Sequence, residues 1–244
     1  MADKTVYVII PAAGKSIRMG SATPKILMEV SGIPVIIRTL MAFDGYKDKD
    51  VEMKVVVVTG STLLDDVRDL IEQYRIRCVD AVIEGGETRT KSVGYGVEYL
   101  RSSGVPDDAL VFIHDGARCL IEDDVISDCI STMETNQACI AAVLARNTTK
   151  IIRRIEGDIP SVVSTPNRND LVEVQTPQCF RFRLLSECYE YAATHDIAVT
   201  DDSSIAELLG YEVKVCNGSY TNIKITTPED ISIAEAILNR RSCP

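Results

Sequence analysis

Lys15, Arg18 and Lys25 place three cations within eleven residues, around a loop of small residues that opens with Pro11-Ala12-Ala13-Gly14. Small side chains let backbone N–H groups approach an anion closely, and the cations neutralise it. The combination predicts a site for a highly charged phosphate compound. Two familiar phosphate loops do not match. Gly14-Lys15-Ser16 could close a Gly-x-x-x-x-Gly-Lys-Ser loop, but its first glycine would fall on Ile9. Ser16 holds the second glycine place of a Gly-x-Gly-x-x-Gly fingerprint.

Further chemistry-bearing residues come after other apolar runs. In Gly85-Gly86-Glu87-Thr88-Arg89-Thr90-Lys91-Ser92 the glycine pair allows close backbone approach, and Ser92 falls in the first turn of a helix. This suits a base and ribose, though a β-turn with a helix cap uses the same residues. In His114-Asp115-Gly116-Ala117-Arg118, Asp115 is placed for Mg²⁺ beside a polyphosphate, and Arg118 suits a second phosphate or hydroxyl. Strand alternation turns His114 away from Asp115, toward a structural role. Lys224 stands between Ile223 and Ile225 and reads as a lysine in an apolar strand, where an anionic ligand would be its partner.

These loops need a scaffold, and the apolar pattern supplies one. Val6 to Ile10 is an unbroken apolar run of the kind buried on both faces of a parallel sheet, and Met53 to Thr59 (Met-Lys-Val-Val-Val-Val-Thr) reads as a second buried strand. Strands are also expected at Cys78 to Glu84, Ala109 to His114, Cys139 to Leu144 and Glu212 to Cys216. Helices are expected at Val35 to Phe43, Leu63 to Tyr74 with Ser61 or Thr62 as N-cap, Thr90 to Arg101, Asp123 to Thr135, Arg183 to Thr194 and Pro228 to Arg240. This alternation indicates an α/β fold of βαβ units, a three-layer sandwich around a mostly parallel sheet. Right-handed crossovers then bring the strands' carboxyl ends to one edge, where ligands of such sheets bind. Asn147-Thr148-Thr149-Lys150, Arg168, Thr176-Pro177-Gln178 and Thr200-Asp201-Asp202-Ser203 are expected in loops; each could be solvated, but their common position after apolar runs favours one shared site. Ile151 to Val174 has no helical period and reads as a protruding arm. Pattern alone leaves open whether the arm packs on a partner subunit or is a long surface excursion.

Composition narrows the class. The 244 residues suffice for one large domain, and no apolar run approaches the roughly 20 residues of a membrane span. The net charge of −10 argues against nucleic acid as a partner. It also means that cations serving a polyphosphate must be concentrated locally. Met1-Ala2-Asp3-Lys4 lacks a signal-peptide pattern, so a cytoplasmic address is expected. The eight cysteines form no Cys-x-x-Cys pair, and the only histidines are His114 and His195, which argues against a structural zinc site. The cysteines read as small core residues in a reducing compartment.

The motifs, taken together and in order, resemble the 2-C-methyl-D-erythritol 4-phosphate cytidylyltransferase family. They are Pro11-Ala12-Ala13-Gly14, Arg18-Met19-Gly20, Pro24-Lys25, Gly85-Gly86…Arg89…Ser92-Val93, His114-Asp115…Ala117-Arg118, Thr148…Lys150, Arg168-Asn169, Gln175-Thr176-Pro177-Gln178, Thr200-Asp201 and Asn222-Ile223-Lys224…Thr226. The resemblance covers nearly the whole chain. It implies a Rossmann-like nucleotidyltransferase fold, CTP as substrate, Mg²⁺, and a homodimer joined by an arm at about residues 147–174 of a single domain spanning 1–244. It implies that Pro11, Ala12, Ala13, Gly14, Gly86 and Ser92 hold CTP and that Asp115 binds the metal. Arg18 and Lys25 would stabilise the transition state, and Lys224 would meet the phosphates. Arg118, Thr148, Arg168 and Thr200 would meet the polyol phosphate, with Thr148 and Arg168 serving the partner's site. The implied reaction is attack of a phosphate monoester on the α-phosphorus of CTP with loss of pyrophosphate. A ribitol 5-phosphate cytidylyltransferase and a non-catalytic nucleotide-binding protein of the same fold are the alternatives. The chain departs from the family pattern at Ser16, Gly116, Cys119 and Asn147, none of them a charged catalytic position.

Overall fold

The computed structural model describes residues 4–14, 23–154, 159–195, 197, 199 and 201–242. The apolar runs become the strands of a seven-stranded sheet. They are β1 (Lys4–Pro11), β4 (Val51–Thr59), β5 (Val79–Glu84), β6 (Leu110–Ile113), β7 (Ala138–Leu144), β10 (Val172–Arg181) and β11 (Lys214–Asn217), in the order β11-β7-β10-β6-β1-β4-β5. β1 pairs parallel with β4 and β6, β4 with β5, and β11 with β7. β10 alone runs antiparallel, between β6 and β7.

The sheet is buried on both faces because successive side chains point opposite ways. On one face Val6, Val8, Ile10, Val55, Val57 and Phe112 pack under α1 (Val35–Asp44), α2 (Leu64–Gln73) and α4 (Asp123–Thr132). On the other, Ile9, Val56, Val58, Val111, Ile113 and Phe180 pack under α3 (Arg89–Ser102), α5 (Phe182–His195) and α6 (Ser203–Leu208). A third cluster seats α7 (Glu229–Ser242) and the small hairpin β2 (Glu29–Val30) and β3 (Ile33–Pro34) against Ala117, Leu120 and Ile225. This is the expected three-layer α/β architecture. Among the described residues no helix is long and apolar enough to cross a membrane.

Several expectations are corrected. The arm is shorter than 151 to 174. Its hairpin is β8 (Ile151–Arg153) with β9 (Ser161–Ser164), fully exposed and paired only with itself among the described residues. Val172 to Val174 instead opens β10. Thr176-Pro177-Gln178 therefore lies within a central strand and not in a loop. The register shifts between Val174 and Gln178, and that irregularity is where a central strand can admit a proline. Because β10 is antiparallel, its carboxyl end leaves the sheet at the opposite edge from the others. Ser203, expected to end a loop, opens the helix Ser203–Leu208. Ile223 to Ile225 is irregular chain and not a strand. Ser61 to Leu63 forms a 3₁₀ turn, and α2 begins at Leu64 without a side-chain cap, so neither Ser61 nor Thr62 is its N-cap.

Candidate active site

β1 delivers Pro11 to Gly14 to the carboxyl edge, and neighbouring loops hold them there. Ala12 N–H donates to Val58 C=O at 2.7 Å, and Gly116 N–H donates to Pro11 C=O at 3.2 Å. The loop after β5 is pressed against them. A Cβ on Gly85 would stand 2.9 Å from both Ala13 Cβ and Ser92 Oγ, so only glycine fits without displacement. Ser92 Oγ accepts from Gly86 N–H at 3.1 Å and donates to Thr88 C=O at 2.9 Å. Ser92 thus shapes the glycine loop from behind. Thr88 caps α3, its hydroxyl accepting from Lys91 N–H.

Asp115 lies at the centre, buried, with three cations around its carboxylate. Lys224 Nζ is 2.7 Å from Oδ2, Arg89 Nε 3.2 Å from Oδ1, and Arg118 Nε 3.7 Å from Oδ2. Burial alone would raise the pKa of this carboxyl, but Arg89, Lys224 and Arg118 outweigh it and hold the group well below the usual range. Asp115 is ionised at neutral pH. Arg118 Nη1 donates to Asn222 C=O at 2.8 Å.

A chain of hydrogen bonds beneath Asp115 fixes its backbone. His114 Nε2 is 3.0 Å from Arg118 C=O, which can only accept, so Nε2 carries the proton. Burial pushes the His114 pKa down to about 4, so the ring is neutral and Nδ1 accepts. Its donor is Thr176 O–H at 3.1 Å, and Thr176 Oγ1 in turn accepts from Asp115 N–H at 3.0 Å. His114 is structural, as its place in the sequence suggested.

Arg89 bears a second pairing. Its Nη1 and Nη2 donate to the fully buried Asp202 at 2.8 and 2.7 Å, and Tyr189 O–H donates to the same carboxylate at 2.5 Å. Gln178, from the middle of β10, accepts from Asp202 N–H and Ser203 N–H at 2.9 Å and donates to Asp201 at 2.9 Å. Asp201 also accepts from the Ser203 and Ser204 hydroxyls and from Ser204 N–H at 3.3 Å, at the start of α6.

Two hollows meet at this cluster. One of about 230 Å³ is lined by Pro11 to Gly14, Lys25, Gly86 and Ser92. The other, about 480 Å³, is lined by Arg118, Gln175, Thr176 and Gln178. Asp115, Arg89 and Lys224 line both and form the shared wall.

Of the residues singled out from sequence, Pro11, Ala12, Ala13, Gly14, Lys25, Gly86, Ser92, Asp115, Arg118 and Lys224 are brought together here. Thr148 is exposed beyond β7, and Arg168 is exposed with Nη1 3.4 Å from Arg146 C=O. Neither lines the two hollows. Arg18 and Thr200 lie outside the described residues, as does Lys15. The sequence motifs already included Arg89, Thr176, Gln178 and Asp202 without giving any of them an individual role, and Tyr189 was not singled out. Their pairing with one another, and the part of Tyr189, become visible only when β10 and α6 meet α3.

The model of the family described as IspD, 2-C-methyl-D-erythritol 4-phosphate cytidylyltransferase, matches residues 6–240. The chain belongs to the IspD family. An Alkaliphilus oremlandii protein named 2-C-methyl-D-erythritol 4-phosphate cytidylyltransferase is 40% identical over 235 residues, covering 96% of this chain and 95% of the relative. A Microcystis aeruginosa protein of the same name is 38% identical, covering 97% and 100%. Among solved structures, 4-diphosphocytidyl-2C-methyl-D-erythritol synthase of Anaerococcus prevotii superposes with a TM-score of 0.81 at 32% identity, covering 97% of each chain. The IspD family is one of cytidylyltransferases, so the chain is assigned to the nucleotidyltransferase enzymes.

Proposed function

We propose that this chain joins CTP and 2-C-methyl-D-erythritol 4-phosphate, giving 4-diphosphocytidyl-2-C-methyl-D-erythritol and pyrophosphate. The observation that carries the reading is the pair of hollows divided by one wall of Asp115, Arg89 and Lys224. CTP takes the hollow built on the Pro11-to-Gly14 and Gly86-to-Ser92 loops, whose backbone can approach a base and a triphosphate. The polyol phosphate takes the hollow lined by Arg118. The two phosphates then meet at Lys224.

The nucleophile needs no general base. A phosphate monoester has a second pKa of about 6 and is mostly dianionic at neutral pH. The barrier is electrostatic, since one anion must reach another, and fixed cations lower it. Lys224, Lys25 and Arg18 fill that role in this reading, and Arg118 orients the incoming phosphate. The donor set fits Mg²⁺, which binds through one or two carboxylates together with substrate phosphates, and Asp115 offers one ionised carboxylate at the shared wall. When bound, Mg²⁺ would offset the charge of the triphosphate oxygens.

The exposed hairpin supports a homodimer within a single-domain chain. Ile151, Val162 and Val163 are 52, 61 and 52% exposed on a two-stranded ribbon that has no core of its own. Thr148 and Arg168, beside that ribbon, would then reach the partner's polyol hollow, and Thr200 would complete this one. Seven unpaired cysteines among the described residues are consistent with a reducing, cytoplasmic setting.

The deciding assay supplies CTP, Mg²⁺ and one polyol phosphate and follows pyrophosphate. Release with methylerythritol phosphate and not with ribitol 5-phosphate is expected. The opposite preference would transfer the assignment to ribitol. CTP binding without release in either case would make the chain a nucleotide-binding protein.

A further inference from the structure

Four of the cysteines that lie far apart in sequence meet in the core, away from both hollows. Cys139 of β7 and Cys179 of β10 are register partners on adjacent strands. Cys216 of β11 pairs with Ala141, two residues along the same face of β7. Cys129, on α4, closes over them from the helix layer. The Sγ atoms of Cys129 and Cys216 are 3.3 Å apart, those of Cys216 and Cys139 are 4.0 Å apart, and all three lie within 4.8 Å of one another. Cys179 lies in the same core cluster, directly across from Cys139 on the neighbouring strand.

We propose that Cys129, Cys139 and Cys216, with Cys179 beside them, form a structural site for one thiophilic metal ion of the zinc class. The geometry suits it. Zn–S bonds of about 2.3 Å place neighbouring sulfurs about 3.8 Å apart in a tetrahedron and about 4.0 Å apart in a trigonal plane. The observed separations bracket those values. The donor set is all sulfur, which selects soft ions over Mg²⁺. The surroundings are dry: three of the four cysteines are fully buried and Cys216 is 5% exposed. A position that needs only a small apolar side chain is served equally by alanine. Three sulfurs arriving from three separate elements, α4, β7 and β11, make a ligand set, with Cys179 of β10 beside it.

Each sulfur that binds gives its proton to solvent and forms one metal–sulfur bond, so three ligands release three protons per ion, with no change of oxidation state. Cys216 sits on the edge strand β11, which gives the ion a route in. Once bound, the ion would tie α4 to β7 and β11. Cys188, fully buried in the opposite helix layer, is not part of the cluster and serves as a control.

The test uses the full chain produced in zinc-supplemented medium, desalted, and analysed for bound metal. About one zinc per chain is expected, retained in Cys188→Ala and lost from Cys129→Ser/Cys216→Ser. Should the double variant fail to fold, the wild-type chain grown with Co²⁺ gives an independent reading. Sulfur-to-cobalt charge-transfer absorption together with intense visible bands of four-coordinate cobalt supports the site. A wild-type chain with less than about a tenth of an equivalent of zinc overturns it, as does cobalt-grown protein without the sulfur charge-transfer band. Zinc retained undiminished by the folded double variant overturns it as well.

Discussion

Lys224 Nζ lies 2.7 Å from Asp115 Oδ2, where the two hollows meet. A cation and a carboxylate in this position have two uses: each compensates the other while the site is unliganded, and each faces an anionic substrate or its counter-ion.

Lys224→Met is expected to lower turnover about a hundredfold or more, the scale for losing a preorganised charge contact. The pH profile should change too. The Asp115 carboxyl is held low, so its charge persists until pH falls through that depressed value. Without Lys224 the depression shrinks, and activity should fail at a higher pH on the acid side. Turnover followed against pH checks both; an unaltered rate and acid limb would take Lys224 out of the site.

Gly85→Ala tests how closely the two loops must approach. The added Cβ meets Ala13 Cβ and Ser92 Oγ at 2.9 Å, and Thr59 C=O at 3.3 Å. Relief requires the Pro11-to-Gly14 loop or the Ser92 hydroxyl to move. The Michaelis constant for CTP should rise about tenfold, alongside a stability loss of about 1–3 kcal/mol from overpacking. Steady-state kinetics and urea unfolding read the two effects separately.

The Arg89–Asp202 pair should matter most to stability. Asp202→Ala leaves the half-buried Arg89 with Asp115 alone and removes its bidentate partner, and leaves the buried Tyr189 O–H without an acceptor. Removing one partner of such a pair costs about 3 kcal/mol. Urea denaturation of the variant measures it, and a loss no larger than that of an exposed pair would contradict the burial argument.

Acid sensitivity should trace in part to His114. Its folded pKa is lowered from 6.5 to about 4, so the unfolded chain takes up the proton first as pH falls. Stability from the neutral buried ring is fully present above pH 6.5 and is lost between there and about pH 4. The total is about 3 kcal/mol. His114→Gln should be less stable at neutral pH but flatter across that interval, as measured by urea midpoints.

The hairpin carries the prediction about assembly. Val162→Lys/Val163→Lys changes two exposed side chains of β9 that touch neither hollow. Sedimentation should report a monomer, and turnover should fall with it if Thr148 and Arg168 serve the partner. A dimer that survives the charge pair would place the interface elsewhere.

The buried parallel strands, the helix faces and the small-residue loops that line the first hollow could be read in the sequence because each is written locally. An apolar run of five to nine residues can only be covered on both sides, and the loop after it must emerge at the sheet's carboxyl edge. Hence Pro11 to Gly14, Gly86, Asp115 and Arg118 were recognisable before any fold was known. The tertiary structure alone decided which distant residues became neighbours. β10 was hidden by its central proline and by its reversed direction, so Thr176 and Gln178 were recognisable as a motif but not as part of a central strand. Arg89 and Asp202 are 113 positions apart, and Cys129 and Cys216 are 87 apart. Contacts of that range come from the order of strands and the packing of layers. Those depend on the energy of the whole assembly and leave no periodic trace in the chain.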